Sequence, residues 1–268
     1  MNKKIGFIGC GKMASAIIGG VIASNYLSKE NIIAAEISEE KASEKSKELG
    51  IKVITDNNEL VNSVDVVFVA TTPNFVEGVL NGIKSSVTKD KLVVSIAAGV
   101  TTRFIESILG SDKRVVRVMP NTPALVLEGM SGVAGGTTAT EEDVQAVVEL
   151  LSNIGKAIEV TEEQLDIVTA ISGSGPAFYY KVINDIARAG EKMGMDYEKA
   201  LTLSIQTAIG SAKMLLSSDK SAEDLIASVA TKGGCTRVGV DYMEEVDTAD
   251  MFYNLIEKTA EKAHALGK

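Results

Sequence analysis

The segment Gly9-Cys10-Gly11-Lys12-Met13-Ala14 spaces two glycines and an alanine as G-x-G-x-x-A, and each of the three meets a separate physical demand. Gly9 permits a tight turn, Gly11 lets the backbone approach a diphosphate, and small Ala14 lets the following helix close on its strand with amide N–H groups aimed at the anion. The spacing alone is a weak signal. Here it follows an apolar strand pattern, Lys4 to Gly9, and opens an amphipathic helix, Met13 to Ala23, which is the context a dinucleotide-binding turn requires. A second strand pattern ends at Glu36, 27 residues after Gly9, where such folds set an acid on the adenosine ribose hydroxyls. A carboxylate there repels a 2′-phosphate and so favours NADH over NADPH. Ser38 is a phosphate contact that weighs the other way, and a solvated loop followed by helix-start acids is the plain alternative for the whole segment.

Two further segments offer backbone donors to an anion. Ser172-Gly173-Ser174-Gly175-Pro176-Ala177 precedes a long helical pattern, with Pro176 suited to a first helical turn and Ser174 to a cap. Thr231-Lys232-Gly233-Gly234-Cys235-Thr236 sets paired glycines ahead of another helix. Together they suggest a pocket for a small acid, while a capped helix start explains either one taken singly. The four prolines, Pro73, Pro120, Pro123 and Pro176, all fall where a strand pattern ends or a helix begins. In an open parallel sheet the carboxyl ends of the strands form the ligand crevice, so these prolines mark its rim.

Elements able to hold such a site follow from the patterning. Strands are expected at Lys4 to Gly9, Asn31 to Glu36, Lys52 to Ile54, Asp65 to Ala70, Leu92 to Ile96 and Val115 to Met119. Gly132 to Gly135 and Lys156 to Val160, flanking a helix from Glu141 to Asn153, finish the sheet. The alternation predicts an α/β doubly wound parallel sheet. After Thr161 the pattern turns helical, at Pro176 to Met193, Tyr197 to Leu216, Ala222 to Ala230 and Thr248 to Ala265. A dinucleotide-binding domain over 1–160 and a helical domain over 161–268 are therefore expected. Small residues such as Ala187, Gly190, Ala208 and Gly210, beside a wide apolar stripe, suggest burial against a second subunit; the alternative is a monomer whose helices cover one another.

Composition narrows the function. Of 268 residues 45% are hydrophobic, and 27 basic against 36 acidic residues give a net charge of −9 with the signs interleaved. That disfavours nucleic acid or an anionic membrane as partner and leaves a small ligand. Met13 to Ser28 is too short and too interrupted for a bilayer span, and the n-region-like Met1-Asn2-Lys3-Lys4 leads only into a short apolar run. A cytoplasmic protein is expected. Two cysteines, Cys10 and Cys235, and a single histidine, His264, make neither a disulfide framework nor a zinc site nor a serine-histidine triad.

The assembled motifs resemble the pyrroline-5-carboxylate reductases along nearly the whole chain. The likeness rests on Ile5-Gly6-Phe7-Ile8-Gly9-Cys10-Gly11, Val94-Ser95-Ile96-Ala97-Ala98-Gly99-Val100-Thr101, Met119-Pro120-Asn121-Thr122-Pro123-Ala124, Ser172 to Ala177, and Gly210-Ser211-Ala212-Lys213-Met214. It implies an N-terminal Rossmann domain, a C-terminal helical domain that interlocks as a homodimer, and a ring of such dimers. It implies hydride transfer from NAD(P)H to the imine of 1-pyrroline-5-carboxylate, giving L-proline, with substrate bound where domains of neighbouring subunits meet. Cofactor contacts carry over to Gly9, Cys10, Gly11, Lys12, Met13 and Ala14, and to Ser38, Asn57, Ala70, Thr71, Thr72, Pro73 and Ala98. Substrate contacts fall on Glu162, Ser172, Gly173, Ser174, Gly175, Gly233, Gly234, Cys235 and Thr236, with Thr236 set to hydrogen-bond the ring nitrogen and Ser174 beside it as a catalytic candidate. The chain departs from the family in two turns. Lys232 replaces the usual proline, and Thr71-Thr72-Pro73 stands for Val-Lys-Pro, which removes a cation near the cofactor and again favours NADH. The alternatives are a paralogue reducing another cyclic imine acid, a nucleotide-binding sensor without catalysis, and a β-hydroxyacid dehydrogenase using Lys181.

Overall fold

Short β-branched runs separated by amphipathic stretches bury both their faces only when they lie side by side with helices above and below. The computed structural model describes residues 3–267 and has this arrangement; Met1 and Asn2, the start of the n-region-like segment, lie outside the described residues. Strands β1 (Ile5–Ile8), β2 (Ile32–Ala35), β3 (Lys52–Ile54), β4 (Val66–Val69), β5 (Leu92–Ser95), β6 (Arg114–Met119), β7 (Gly129–Gly135) and β8 (Gly155–Glu159) form one sheet in the order β3-β2-β1-β4-β5-β6-β7-β8. Every neighbouring pair is parallel except β6 and β7, which run antiparallel. The expected doubly wound parallel sheet is present, with one antiparallel pair near its end. The short connection from Met119 to Gly129 has no room for a crossover helix, so the chain turns back beside β6.

The first six helices are α1 (Lys12–Ala23), α2 (Glu39–Leu49), α3 (Asn57–Ser63), α4 (Pro73–Ile83), α5 (Thr102–Leu109) and α6 (Glu141–Leu151). In β4 the side chains alternate between two cores. Val66 and Phe68 join α1 and α6, while Val67 and Val69 join α3, α4 and α5. Phe68 stacks on Phe7 of β1 with ring centroids 4.7 Å apart. Each such buried side chain stabilises the fold by about 1.5–3 kcal/mol relative to exposure. The packing brings the carboxyl ends of β1, β2, β3 and β4 to one edge, at Gly9, Glu36, Thr55 and Ala70.

Beyond β8 come a 3₁₀ turn, Glu162–Gln164, then α7 (Leu165–Val168) and a π-helical turn, Thr169–Gly173, that leads into α8 (Gly175–Lys192). The remaining helices are α9 (Tyr197–Ser217), α10 (Ala222–Val229), α11 (Cys235–Glu245) and α12 (Thr248–Leu266). The chain forms two compact units: one runs through Ser174 and resumes at Thr259, and the other is Gly175–Lys258. Residues 161–174 pack on the sheet and so belong to the first compact unit. Val168 rests against Gly132 of β7, and Asn121 Nδ2 donates to the Ser172 carbonyl at 3.0 Å.

Within the second unit α8 and α9 pack as a hairpin. The Arg188 guanidinium sits 4.1 Å from the Tyr197 ring centroid, and Ser204 Oγ donates to the Ile183 carbonyl at 3.1 Å. Yet the unit buries only small residues, namely Gly175, Ala187, Ala200, Ser204 and Ala230, and leaves Tyr179, Ile186, Leu203, Leu216, Val238 and Tyr242 exposed. A single copy therefore lacks a core of large side chains here.

Candidate active site

The glycine-rich turn joins β1 to α1. Gly9 has φ +90°, a conformation costly for a side chain, and a Cβ there would lie 2.9 Å from the Ala70 carbonyl oxygen. Gly11, at φ −69°, faces open space with nothing within 4 Å of where its Cβ would stand. As N-cap of α1, Gly11 supplies no side-chain hydrogen bond, so the first amides of the helix carry their partial positive charge to the turn without a protein anion to satisfy them. Ala14 is buried beneath, as close packing of α1 requires.

A cleft of about 900 Å³ opens over this turn. Of the residues read as cofactor contacts, Gly9, Cys10, Gly11, Glu36, Asn57, Ala70, Thr71 and Thr72 line it. Lys12, Met13, Ala14, Ser38, Pro73 and Ala98 do not line it. Ser38 caps α2, its Oγ accepting the Lys41 N–H at 3.4 Å, and Pro73 starts α4. Ala98 is exposed in the loop after β5, next to Gly99 at φ +72°. Glu36 turns toward the glycine-rich segment and not to open solvent: Oε1 accepts the Cys10 N–H at 2.8 Å, and Oε2 accepts the Ile37 N–H at 3.3 Å. Burial pushes the Cys10 thiol up to about 11, against a weaker pull from its Ser15 hydrogen bond and Lys45, so it stays neutral beside an incoming anion. Thr71 Oγ1 is buried with no partner next to Gly9, an orphaned polar atom that a bound group would satisfy. An open Gly11, an uncapped helix and an orphan hydroxyl fit a dinucleotide diphosphate.

Sequence reasoning missed part of this cleft. Thr55 and Asp56 follow β3, and Phe75 and Val79 lie on α4. The position of Thr55 at the carboxyl end of a parallel strand is the signal that marks it as rim.

The residues read as substrate contacts fall in both units. In the first, Ser172 and Gly173 end the π-helical turn, and Ser174 is not the expected helix cap. Its backbone is right-handed helical and its N–H already donates to the Thr169 carbonyl at 2.8 Å, because the chain enters α8 through that turn without an extended N-cap residue. Ser172 Oγ likewise donates to the Val168 carbonyl at 3.0 Å. Glu162 pairs with buried Arg117 at 2.7 Å, a contact between β6 and the turn after β8 that no local pattern reveals. In the second unit Gly175 is buried at the start of α8, and Gly233, at φ +78°, leads to Gly234, the N-cap of α11, again without a side-chain cap. Cys235 and Thr236 open α11 and are exposed. Lys181 is exposed and paired with Asp185 one turn on, the geometry of a surface ion pair. Among the described residues no group of His, Cys, Asp and Glu is arranged to hold a metal, and no helix is long and apolar enough to cross a membrane.

A doubly wound sheet whose uncapped glycine-rich turn meets an acid from the second strand defines a Rossmann-type dinucleotide-binding protein. Comparison with known proteins is more specific. Residues 162–266 match the family model for pyrroline-5-carboxylate reductase dimerisation, and residues 4–99 match that for NADP oxidoreductase, coenzyme F420-dependent. The pyrroline-5-carboxylate reductase of Methanosarcina acetivorans is 42% identical over 267 residues, covering 100% of this chain and 99% of the relative. Solved reductases superpose over the whole chain: that of Coxiella burnetii with TM-score 0.95 at 32% identity, covering 100% of both chains, and that of Plasmodium falciparum, with NADP bound, with TM-score 0.86 at 33% identity, covering 100% of this chain and 99% of that one. The chain belongs to the pyrroline-5-carboxylate reductase family.

Proposed function

We propose that the protein reduces 1-pyrroline-5-carboxylate to L-proline at the expense of NAD(P)H. The observation that carries the reading is the open Gly11 over an uncapped α1, on a chain that aligns end to end with reductases of this substrate. When bound, the reduced nicotinamide supplies a hydride to the imine carbon. The imine nitrogen, already protonated, keeps that proton and becomes a neutral secondary amine, which takes its second proton from solvent, so the protein needs no strong general acid. Its tasks are positional. Amides of the turn from Gly11 onward hold the diphosphate, and Asn57, Thr71, Thr72 and Ala98 hold the rest of the dinucleotide. Backbone donors of the Gly233–Thr236 turn take the substrate carboxylate. Thr236 Oγ1 accepts from the imine N–H, with Ser174 and Glu162 as the other polar contacts.

NADH is the favoured cofactor. Glu36 sets a carboxylate beside the turn, and no cation stands at Thr72, the position where a family lysine falls. Initial rates with pyrroline-5-carboxylate and either reduced nucleotide test both statements. Turnover is expected, with NADH the better donor, and Glu36→Gln is expected to shift the kcat/KM ratio toward NADPH by about tenfold, because it removes the repulsion while keeping an oxygen for the Cys10 amide. No turnover overturns the reaction. An unchanged ratio overturns only the cofactor preference.

The working form is a homodimer, and a ring of dimers follows the same reading. The exposed aromatic and aliphatic side chains of the second unit support it, since a partner supplies the core one copy lacks. A species of 28.2 kDa at micromolar concentration in sedimentation would overturn it. We further propose a cytoplasmic location, where Cys10 and Cys235 remain thiols.

A further inference from the structure

Three carboxylates lie half-buried or deeper around β6, and their oxygens are treated differently. Asp143 uses both: Oδ1 accepts from Arg114 Nη1 at 2.7 Å and Oδ2 from the Thr140 N–H at 3.1 Å. Glu106 also uses both, taking the Thr137 N–H at 2.6 Å and the Thr137 hydroxyl at 2.8 Å. Glu162 does not. Its Oε1 accepts twice, from Arg117 Nη1 at 2.7 Å and from the Thr102 N–H at 3.3 Å, while Oε2 is buried with no partner.

This asymmetry has a physical meaning. A buried acceptor left unfilled costs free energy, and a carboxylate with both donors on one oxygen is held against the rotation that would share them. Arg117 is itself 4% exposed, between Ser95 of β5 and Ala134 of β7. Ion pairs at such depth contribute little net stability over an apolar pair of similar volume, so stability is a weak reason for this one. Orientation is a better one. The guanidinium is planar and fixed by its strand, and Thr102 begins α5 directly after the loop carrying Ala98.

We propose that Arg117 is a positioning residue for the reduction: by occupying Glu162 Oε1 it leaves Oε2 as the unfilled carboxylate oxygen whose negative charge stabilises the cationic ring nitrogen of the substrate. The inference rests on the reading of Glu162 as a substrate contact. Arg117 touches neither substrate nor cofactor and acts only through Glu162.

A double-mutant cycle on the intact oligomer tests this. Arg117→Gln is expected to lower kcat/KM for pyrroline-5-carboxylate by about tenfold or more, with the nucleotide Kd within about twofold, and in a Glu162→Gln background the same change is expected to cost less than about threefold. Should Arg117→Gln fail to fold, Arg117→Lys keeps a cation in the strand and completes the same cycle. A kcat/KM within threefold of the unmodified protein overturns the proposal. So does an equal loss in both backgrounds, or a parallel loss of nucleotide affinity, because either marks a general structural role. Absence of turnover by the unmodified protein overturns the assigned reaction and this inference with it, whereas normal turnover with an inert Arg117 overturns the inference alone.

Discussion

Gly11→Val is expected to weaken NADH binding by at least about a hundredfold and to leave the melting temperature within about 2 °C. The two halves of this expectation come from different facts. Gly11 has φ −69° and ψ −176°, an extended conformation that valine adopts without strain, and a Cβ there meets no protein atom within 4 Å. The folded chain therefore accepts the side chain. The diphosphate does not, because the open space is where it must approach the amides of α1. Losing two charge-assisted hydrogen bonds, at about 1.5–3 kcal/mol each, exceeds a hundredfold in affinity. The neighbouring glycine should fail in the opposite way. Gly9→Ala forces a Cβ onto a residue at φ +90° and 2.9 Å from the Ala70 carbonyl, so stability should fall by about 2 kcal/mol or more before any ligand is added. NADH titration and thermal melts on both variants separate these outcomes. Unchanged affinity in Gly11→Val would remove the turn from the cofactor site.

Why one turn was legible in the sequence and other features were not follows from the range of the interactions. The roles of Gly9, Gly11 and Ala14 are set by backbone sterics within six residues, so their spacing carries the information. The β1, β2 and β4 strands were legible for a similar reason: burial on both faces demands continuous apolar runs, as in Val66–Val69. The reversal of β7 was hidden, since parallel and antiparallel central strands share the same composition and only the short Met119–Gly129 connection distinguishes them. Ser174 misled through local rules. A serine two residues before a proline looks like a cap, yet packing of α7 and the π-helical turn on the sheet carries the helical path through it. Arg117 and Glu162 meet across 45 residues, and no periodicity brings such a pair to attention. The resemblance named Glu162 but not the arginine that holds it.

The same distinction between backbone and side chain governs the substrate turn. Lys232 stands where the family has a proline, so the turn loses one φ restraint and gains an exposed cation. The features that present amides are retained, namely Gly233 at φ +78° and the uncapped Gly234 ahead of α11. On the proposed reading, carboxylate capture by backbone donors depends on those glycines and not on residue 232. The substitution should therefore alter how fast the turn orders more than what it recognises.

Thr236→Val is the sharpest probe of what remains after the carboxylate is held. Valine keeps the branched Cβ and the volume of threonine at the second position of α11 and removes only the hydroxyl. With Thr236 Oγ1 as acceptor for the imine N–H, the variant leaves a cationic donor facing a methyl group. A missing hydrogen bond to a charged group costs about 1.5–3 kcal/mol, which predicts a loss in kcat/KM for pyrroline-5-carboxylate of roughly 10- to 150-fold. Since Thr236 is not among the residues lining the dinucleotide cleft, the NADH Kd should stay within about twofold. Thr236→Ser, which restores the hydroxyl, should recover most of the rate. Steady-state kinetics with the imine varied at saturating NADH reads the loss directly. A valine variant with unaltered kcat and KM would mean that the ring nitrogen is bound by another group.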